Sequence, residues 1–93
     1  MYGLVRSSRA EKALRKYEKS GSFPLAKFRE AIVHLRAGKP LPASFRDHPL
    51  KGGLAKYREF HLAQDILVQY ERDEDLRLIT ITKMGTHAEL FGR

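Results

Sequence analysis

The alternation of apolar and polar positions predicts that the chain opens with a short strand and a helix. Residues Tyr2 to Arg6 alternate between two faces, which is typical of a strand. Ser8 followed by Glu11 predicts a capping box at the start of a helix that runs to about Lys19. The apolar stripe of this helix consists of Ala10, Ala13, Leu14 and Tyr17.

A second helix is predicted directly after the first. Ser20-Gly21-Ser22 interrupts the first helix, and Pro24 suits the opening turn of the next one. Gly38 is placed to end this second helix, because glycine accepts the left-handed conformation at that position. Its apolar stripe consists of Leu25, Phe28, Ala31, Ile32 and Leu35. The two helices are therefore expected to form a hairpin.

The segment Lys39 to Gly53 is predicted to be a long surface loop without regular structure. It contains three prolines and two glycines, which break both helices and central strands. Loops of this length in a compact domain are often functional. This one carries His48 beside Lys51, a histidine and a cation close together.

The second half of the chain predicts a meander of three strands. Apolar and β-branched residues dominate three runs that are separated by short polar connections. The strands are Leu54 to His61, Asp65 or Ile66 to Glu71, and Leu76 to Lys83; the connections are Leu62 to Gln64 and the charged turn Arg72 to Asp75. Helices and strands in a chain of 93 residues indicate one domain with one core.

The charge balance predicts an anionic partner. Eighteen Lys and Arg residues against eleven Asp and Glu leave a net charge of +7. A surface of this kind favours RNA, DNA or an acidic segment of another protein.

Two further features bear on location and chemistry. The absence of cysteine excludes disulfides, thiolate nucleophiles and cysteine-based zinc sites, and it fits a reducing compartment. The apolar run at the N-terminus is much shorter than the roughly 20 residues of a membrane span. We expect a soluble cytoplasmic protein that does not interact with membranes.

The meander predicts where polar groups converge. Antiparallel strands reverse direction, so the first strand ends, the second begins and the third ends at the same edge of the sheet. This edge gathers His61, Asp65, Lys83 and the segment that contains His87. The acidic turn lies at the opposite end, which leaves a positive local field suited to phosphate. The long connection before the first meander strand leaves the position of His48 open.

The grouped residue types match the needs of metal-free RNA cleavage. Imidazoles can remove a proton from the attacking 2′-hydroxyl and return one to the leaving 5′-oxygen, while Lys or Arg stabilises the charged phosphorane. Phe91 has two interpretations, a platform for an unpaired base or a core residue. Zinc is an alternative because His48, His61, His87 and Asp65 are of allowed ligand types, but no zinc-binding spacing is present and no metal is predicted.

Three blocks of sequence resemble the YafQ branch of the RelE/ParE-like toxins. They are Asp47 to Gly52, Tyr57 to Leu67, and Gly85 to Gly92. The resemblance implies a single domain over residues 1–93 with an α+β, RelE-like microbial RNase fold. In that fold two N-terminal helices pack on a small antiparallel sheet, in the order β-α-α-β-β-β, with a short C-terminal helix or turn. The strand Tyr2 to Arg6 is expected to join the sheet.

The resemblance also implies the site residues. The expected catalytic set is His48, His61, Asp65 and His87. The expected RNA-binding residues are Lys51, Arg58, Lys83 and Phe91. No cofactor is implied. One departure is Ile66, which stands where an aromatic residue follows the aspartate in a well-known family member.

Activity and partners follow from the same resemblance. It implies a ribosome-dependent endoribonuclease of a type II toxin–antitoxin system, which cuts mRNA in the ribosomal A site and leaves a 2′,3′-cyclic phosphate or a 3′-phosphate. An acidic, DinJ-like antitoxin is expected to neutralise it, with a heterotetramer as one expected assembly. The alternative is a binding module without catalysis: a ParE-like toxin, which shares the fold but lacks the His and Asp set, or a basic RNA-binding domain.

Overall fold

The computed structural model describes residues 1–52, 56–63 and 65–92. The secondary structure follows the order strand, two helices, four strands and a short helix. The elements are β1 (Gly3–Arg6), α1 (Ser8–Ser20), α2 (Leu25–Ala37), β2 (His48–Pro49), β3 (Tyr57–His61), β4 (Ile66–Asp73), β5 (Leu78–Thr86) and α3 (His87–Phe91), with a 3-10 turn at Ala43–Phe45. The predicted start of the first meander strand at Leu54 and the end of its connection at Gln64 lie outside the described residues.

One five-stranded sheet has the order β1-β5-β4-β3-β2. The pairs β2–β3, β3–β4 and β4–β5 are antiparallel, as the meander predicts. β1 joins at the other edge and runs parallel to β5, with Gly3 opposite Leu78. The α+β class is confirmed. The sheet is mixed, because β1 runs parallel to β5 while the other three pairs are antiparallel.

The helices cover one face of this sheet. Alternate residues of the strands meet them in a core that contains Phe60, Val68, Tyr70, Ile79, Ile81 and Met84. A β-bulge lets both Ile81 and Met84 face the core, since Gln69 pairs with Lys83 while Tyr70 pairs with Ile81. Successive side chains of a strand point to opposite faces, so Lys83 projects from the face that the helices leave open.

The start of α1 differs from the prediction. The N-cap is Ser7, whose hydroxyl accepts a hydrogen bond from the Ala10 N–H at 3.0 Å, and Ser8 is the first helical residue. Glu11 does not complete a capping box with Ser8; its carboxylate accepts from Arg6 Nε at 2.6 Å. None of the described helices has the length and hydrophobicity needed to cross a membrane.

The segment predicted to be an irregular loop contains regular structure. Phe45 is 2% exposed and anchors the 3-10 turn in the core. β2 then pairs with β3, and Pro49 is tolerated there because an edge strand has one side without ladder hydrogen bonds. The prolines of this segment are therefore compatible with a strand, provided that it lies at the edge of the sheet.

The two long strands of the meander extend beyond their predicted bounds. β4 continues to Asp73 and β5 begins at Leu78, so the charged turn covers residues 74–77. Arg77 occupies the left-handed region with φ 51° and completes this turn. At its other end β5 runs through Thr86, which brings α3 directly to the edge where the polar residues were expected to gather.

Candidate active site

A row of polar residues crosses four strands on the open face of the sheet. His48 of β2 lies opposite Glu59 of β3, and Glu59 lies opposite Gln69 of β4. Gln69 in turn lies opposite Lys83 of β5. Directly paired residues project from the same face, so these side chains form one continuous polar line.

Glu59 is the centre of this row. It is 6% exposed, and its carboxylate accepts a hydrogen bond from Gln69 Nε2 at 3.3 Å. His48 Nε2 lies 3.4 Å from the same carboxylate, and His48 Nδ1 donates to the Arg46 carbonyl at 2.6 Å. Both ring nitrogens of His48 therefore face oxygen acceptors, which fixes the orientation of the ring.

His61 lies in the next row and has a different environment. Its ring centroid is 5.9 Å from that of His48. The Arg46 guanidinium donates to His61 Nδ1 at 3.2 Å. Burial and the Arg46 charge lower the pKa of His61, against an opposing effect of Glu59. The lowered pKa favours the neutral ring, whose Nδ1 accepts the hydrogen bond from Arg46.

The helix α3 brings the C-terminal residues to the same place. Thr86 caps it in a capping box with Glu89, so the helix begins at His87. A cleft of about 390 Å³ is lined by His48, Pro49, Leu50, Lys51, Glu59, His87 and Phe91. The ring centroids of His87 and Phe91 are 4.8 Å apart. Phe91 is 41% exposed, so the alternative interpretation of it as a core residue is wrong.

The structure brings three other predicted residues to different positions. Lys51 lines the cleft, and Lys83 lines an adjoining cavity of about 200 Å³ with Tyr57 and Gln69. Asp65 is exposed just before β4, where its charge contributes to raising the pKa of Tyr17. Among the described residues it belongs neither to the cleft lining nor to the His48–Glu59–His61 cluster.

Arg58, predicted to bind RNA, faces the helical side of the sheet. It lies between Tyr57 and Glu59 in β3, so its side chain projects away from the cleft. Its Nε donates to Asp47 Oδ1 at 3.1 Å. Tyr70 donates to the same carboxylate, at 2.9 and 2.8 Å from its two oxygens. The structure assigns Arg58 to this internal network and does not bring it to the cleft.

Two residues of the site escaped sequence reasoning. Glu59 stands two positions before His61 in a predicted strand, and that spacing alone puts both on one face. Arg46 is in the left-handed region with φ 50°, where its carbonyl meets His48 and its guanidinium meets His61. No sequence signal indicates this conformation for an arginine.

The same residues are a potential metal site. His48, Glu59 and His61 each offer one ligand atom, and these atoms lie within 4.8 Å of one another. Imidazole and carboxylate are ligands that zinc and copper accept. The zinc alternative from the sequence included Asp65 and His87 as further ligands. In the structure, the carboxylate that lies with His48 and His61 is that of Glu59.

Comparison with known proteins gives consistent matches. A family model described as "Bacterial toxin of type II toxin-antitoxin system, YafQ" matches residues 2–92. The mRNA interferase toxin YafQ of Escherichia coli K12 is 42% identical over 53 residues, which are 57% of this chain and 55% of that protein. The match thus spans little more than half the length of this curated relative.

Two solved structures are similar over almost the whole chain. A metal-bound toxin from Helicobacter pylori has a TM-score of 0.90 at 33% identity and covers 98% of this chain and 100% of its own. The Escherichia coli DinJ-YafQ complex has a TM-score of 0.85 at 28% identity and covers 99% and 100%. Fold and strand order are therefore shared along the full length of the described elements.

Proposed function

The chain belongs to the YafQ family of bacterial type II toxins, and from this premise we propose that it is an endoribonuclease that cleaves mRNA. The name of the Escherichia coli relative, an mRNA interferase toxin, supports this activity. The observation that carries the proposal is that His48, Lys51 and His87 line one cleft, with the ring centroid of His61 5.9 Å from that of His48. Imidazoles can give and take protons near neutral pH, and the lysine can stabilise negative charge on a phosphate.

The proposed reaction is attack by the 2′-hydroxyl on the adjacent phosphorus. The bond from phosphorus to the 2′-oxygen forms, the bond to the 5′-oxygen breaks, and the product is a 2′,3′-cyclic phosphate that water opens to a 3′-phosphate. The attacking oxygen loses a proton to a base, and the leaving oxygen gains one from an acid. Each transfer is typically worth about 10²- to 10⁴-fold in rate.

His61 is the proposed base. Its lowered pKa keeps the ring neutral, which is the form that accepts a proton. In the free protein its Nδ1 accepts from Arg46. A phosphate is a stronger acceptor for a guanidinium than an imidazole nitrogen is, so substrate draws Arg46 away and frees the nitrogen. In this proposal His48 shares the base and phosphate-binding roles, and Asp65, which is exposed before β4 and outside the cleft lining, takes no direct part in the chemistry.

His87 is the proposed general acid, and Phe91 the proposed stacking platform. Both lie on α3 at the rim of the cleft with rings in contact, so a base stacked on Phe91 places its phosphate near His87. Lys51 and Lys83 neutralise the phosphorane and the flanking phosphate. Arg58 acts indirectly, by holding Asp47 beside His48.

The proposed partners are the translating ribosome and an acidic, DinJ-like antitoxin. The solved complex of the Escherichia coli protein with DinJ supports the second of these. The net charge of +7 suits both ribosomal RNA and an acidic antitoxin. Action on the ribosome places the protein in the cytoplasm, and a heterotetramer with the antitoxin is the proposed stored form.

Replacement of His87 by Ala tests the activity. We expect cleavage of ribosome-bound mRNA to fall at least about 100-fold, because a general acid is lost. The circular dichroism spectrum should stay unchanged, since the side chain of His87 is exposed. His34→Ala is the matched control: this fourth histidine lies on α2, with its Nδ1 on the Glu30 carbonyl, and its loss should leave cleavage intact.

Two outcomes would decide against the proposal. Full cleavage by the His87→Ala variant removes His87 from the mechanism. Toxicity that persists when His48, His61 and His87 are all Ala favours the alternative, a ParE-like toxin or RNA-binding module without catalysis. Equal cleavage of free and ribosome-bound mRNA would contradict dependence on the ribosome while leaving the nuclease activity in place.

A further inference from the structure

The helix that carries His87 and Phe91 depends on contacts outside itself for its position. α3 has five residues, far fewer than an isolated helix needs in water. Within the described part of the chain, the side-chain hydrogen bonds that join α3 to another helix are made by Glu89. Glu89 Oε1 accepts from the Thr86 N–H at 2.8 Å and from the Tyr17 hydroxyl at 2.5 Å. Glu89 Oε2 accepts from Lys16 Nζ at 2.7 Å.

This carboxylate lies on the side of α3 that faces away from the cleft. His87 and Phe91 are four residues apart and share one face of the helix, whereas Glu89, midway between them, projects from the other side. The cleft lining includes His87 and Phe91 but, within the described part of the chain, does not include Glu89. Glu89 therefore lies outside the cleft lining, on the side of α3 that faces α1.

The fit between α3 and the end of β5 is close. A Cβ built on Gly85 would lie 3.0 Å from Glu89 Oε1 and 3.3 Å from Glu89 Cβ. These distances are tighter than most Cβ contacts, so a side chain at position 85 would require Glu89 to shift by a few tenths of an ångström. The carboxylate thus connects three elements: α3 through its own cap, α1 through Lys16 and Tyr17, and the last residues of β5.

We propose that Glu89 is a positioning residue, which locks α3 onto α1 and so holds His87 and Phe91 at the rim of the cleft. The proposal rests on the proposed nuclease function. Hydrogen bonds from Lys16, Tyr17 and the Thr86 backbone lower the pKa of Glu89 to about 2, so it is ionised throughout the physiological range. Burial and the contact with Glu89 raise the pKa of Tyr17 to about 12, so its hydroxyl remains a donor.

Two variants separate this link from the local helix cap. Glu89→Gln keeps an oxygen that can accept from the Thr86 N–H, since glutamine also serves in a capping box, but it removes the charge that Lys16 binds. Tyr17→Phe removes one donor and keeps the ring, which stacks on Phe23 at 6.0 Å. Glu18→Gln is the control, because Glu18 is an exposed glutamate next to Tyr17 on the same helix.

Cleavage kinetics give the first readout. We expect kcat to fall about 10- to 100-fold in Glu89→Gln and less in Tyr17→Phe, because displacement of a catalytic group by about 1 Å has effects of this size. KM should change less than kcat, since the proposed phosphate-binding residues Lys51 and Lys83 do not lie on α3. The losses of the two single variants should not multiply in the double variant, because both changes act on one link. Unchanged kcat, a raised KM with kcat retained, or losses that multiply would each overturn the proposal.

Backbone relaxation by NMR gives a second readout that does not depend on catalysis. The amides of residues 87–91 should become more mobile in Glu89→Gln, while those of β3 and β4 keep their wild-type values. An α3 that stays as ordered as in the wild type would refute the positioning role. If the wild-type protein cleaves no RNA, the nuclease proposal fails and this readout still decides whether Glu89 holds α3.

Discussion

At the scale of single residues, Arg46 gives two neighbouring histidines different environments. Its carbonyl accepts a hydrogen bond from His48 Nδ1, and its guanidinium donates to His61 Nδ1. The left-handed backbone of Arg46 makes both contacts available from one residue. Imidazoles with ring centroids 5.9 Å apart are thereby differentiated: His48 acts as a donor and His61 as an acceptor.

Replacement of Arg46 by Gln should move the acid limb of the cleavage profile to higher pH. As the proposed base, His61 can accept a proton only above its pKa, so activity is expected to fall as the pH falls through that value. Burial and Arg46 lower this pKa below 6.5, and removal of the guanidinium brings it back toward 6.5. Measurement of kcat/KM against pH checks the shift. Arg46→Lys is the control: it keeps a positive charge, so the acid limb of the profile should stay near its wild-type pH. An acid limb that moves to lower pH in Arg46→Gln would contradict the assignment of His61 as the base.

At the scale of elements, the segment before β3 is fixed to the sheet by a polar network on the side away from the cleft. Tyr70 is fully buried, and its hydroxyl donates to both oxygens of Asp47. Arg58 forms an ion pair with the same carboxylate at 3.1 Å. Asp47 directly precedes β2, so the network holds His48 in register with Glu59. A two-residue strand thus receives its position from contacts on both faces of the sheet.

Asp47→Ala should destabilise the protein more than Tyr70→Phe does. Removal of the carboxylate leaves a buried hydroxyl without an acceptor, which lowers the free energy of unfolding by about 1–3 kcal/mol. Removal of the hydroxyl leaves Asp47 paired with Arg58, so the loss is that of one hydrogen bond, about 0.5–1.5 kcal/mol. Urea denaturation of both variants, with comparable m-values, measures the difference. Equal losses, or a larger loss in Tyr70→Phe, would show that the network is not centred on Asp47.

At the scale of the whole molecule, charge is concentrated in the helical layer. Residues 8–37 contain eight Lys or Arg against three Asp or Glu. The helices cover one face of the sheet, and the cleft opens on the other. The proposed acidic antitoxin is therefore attracted by a field whose main source is separate from the cleft.

Charge reversal at Lys12 and Lys19 should slow the binding of the antitoxin. Both residues are exposed on α1, so they contribute to long-range attraction. We expect the association rate to fall several-fold at low salt and the dissociation rate to change less, because steering acts before contact. Stopped-flow measurements from low to physiological ionic strength check this, since the difference from wild type should shrink with added salt. A change confined to the dissociation rate would instead indicate direct contact.

The amino-acid sequence determined the local elements and the place where the site forms. Hydrophobic periodicity identified both helices and the meander, and antiparallel reversal placed His61, Lys83 and the segment of His87 at one edge. The resemblance to the YafQ toxins, carried by short blocks around these histidines, is confirmed by the family match. The alternation of strand residues also puts the side chains of Glu59 and His61 on the open face of the sheet and that of Arg58 on the helical face.

Tertiary structure alone decided the contacts between distant segments. The pairing of His48 with Glu59 depends on an edge strand that the prolines of its segment appeared to exclude. The two contacts of Arg46 require a left-handed backbone, which local sequence does not specify for arginine. The link from Glu89 to α1 spans more than 70 residues of chain. The physical reason is the same in each case: periodicity reports which face a side chain occupies, while its partners across the sheet or on another helix are set by the packing of the whole chain.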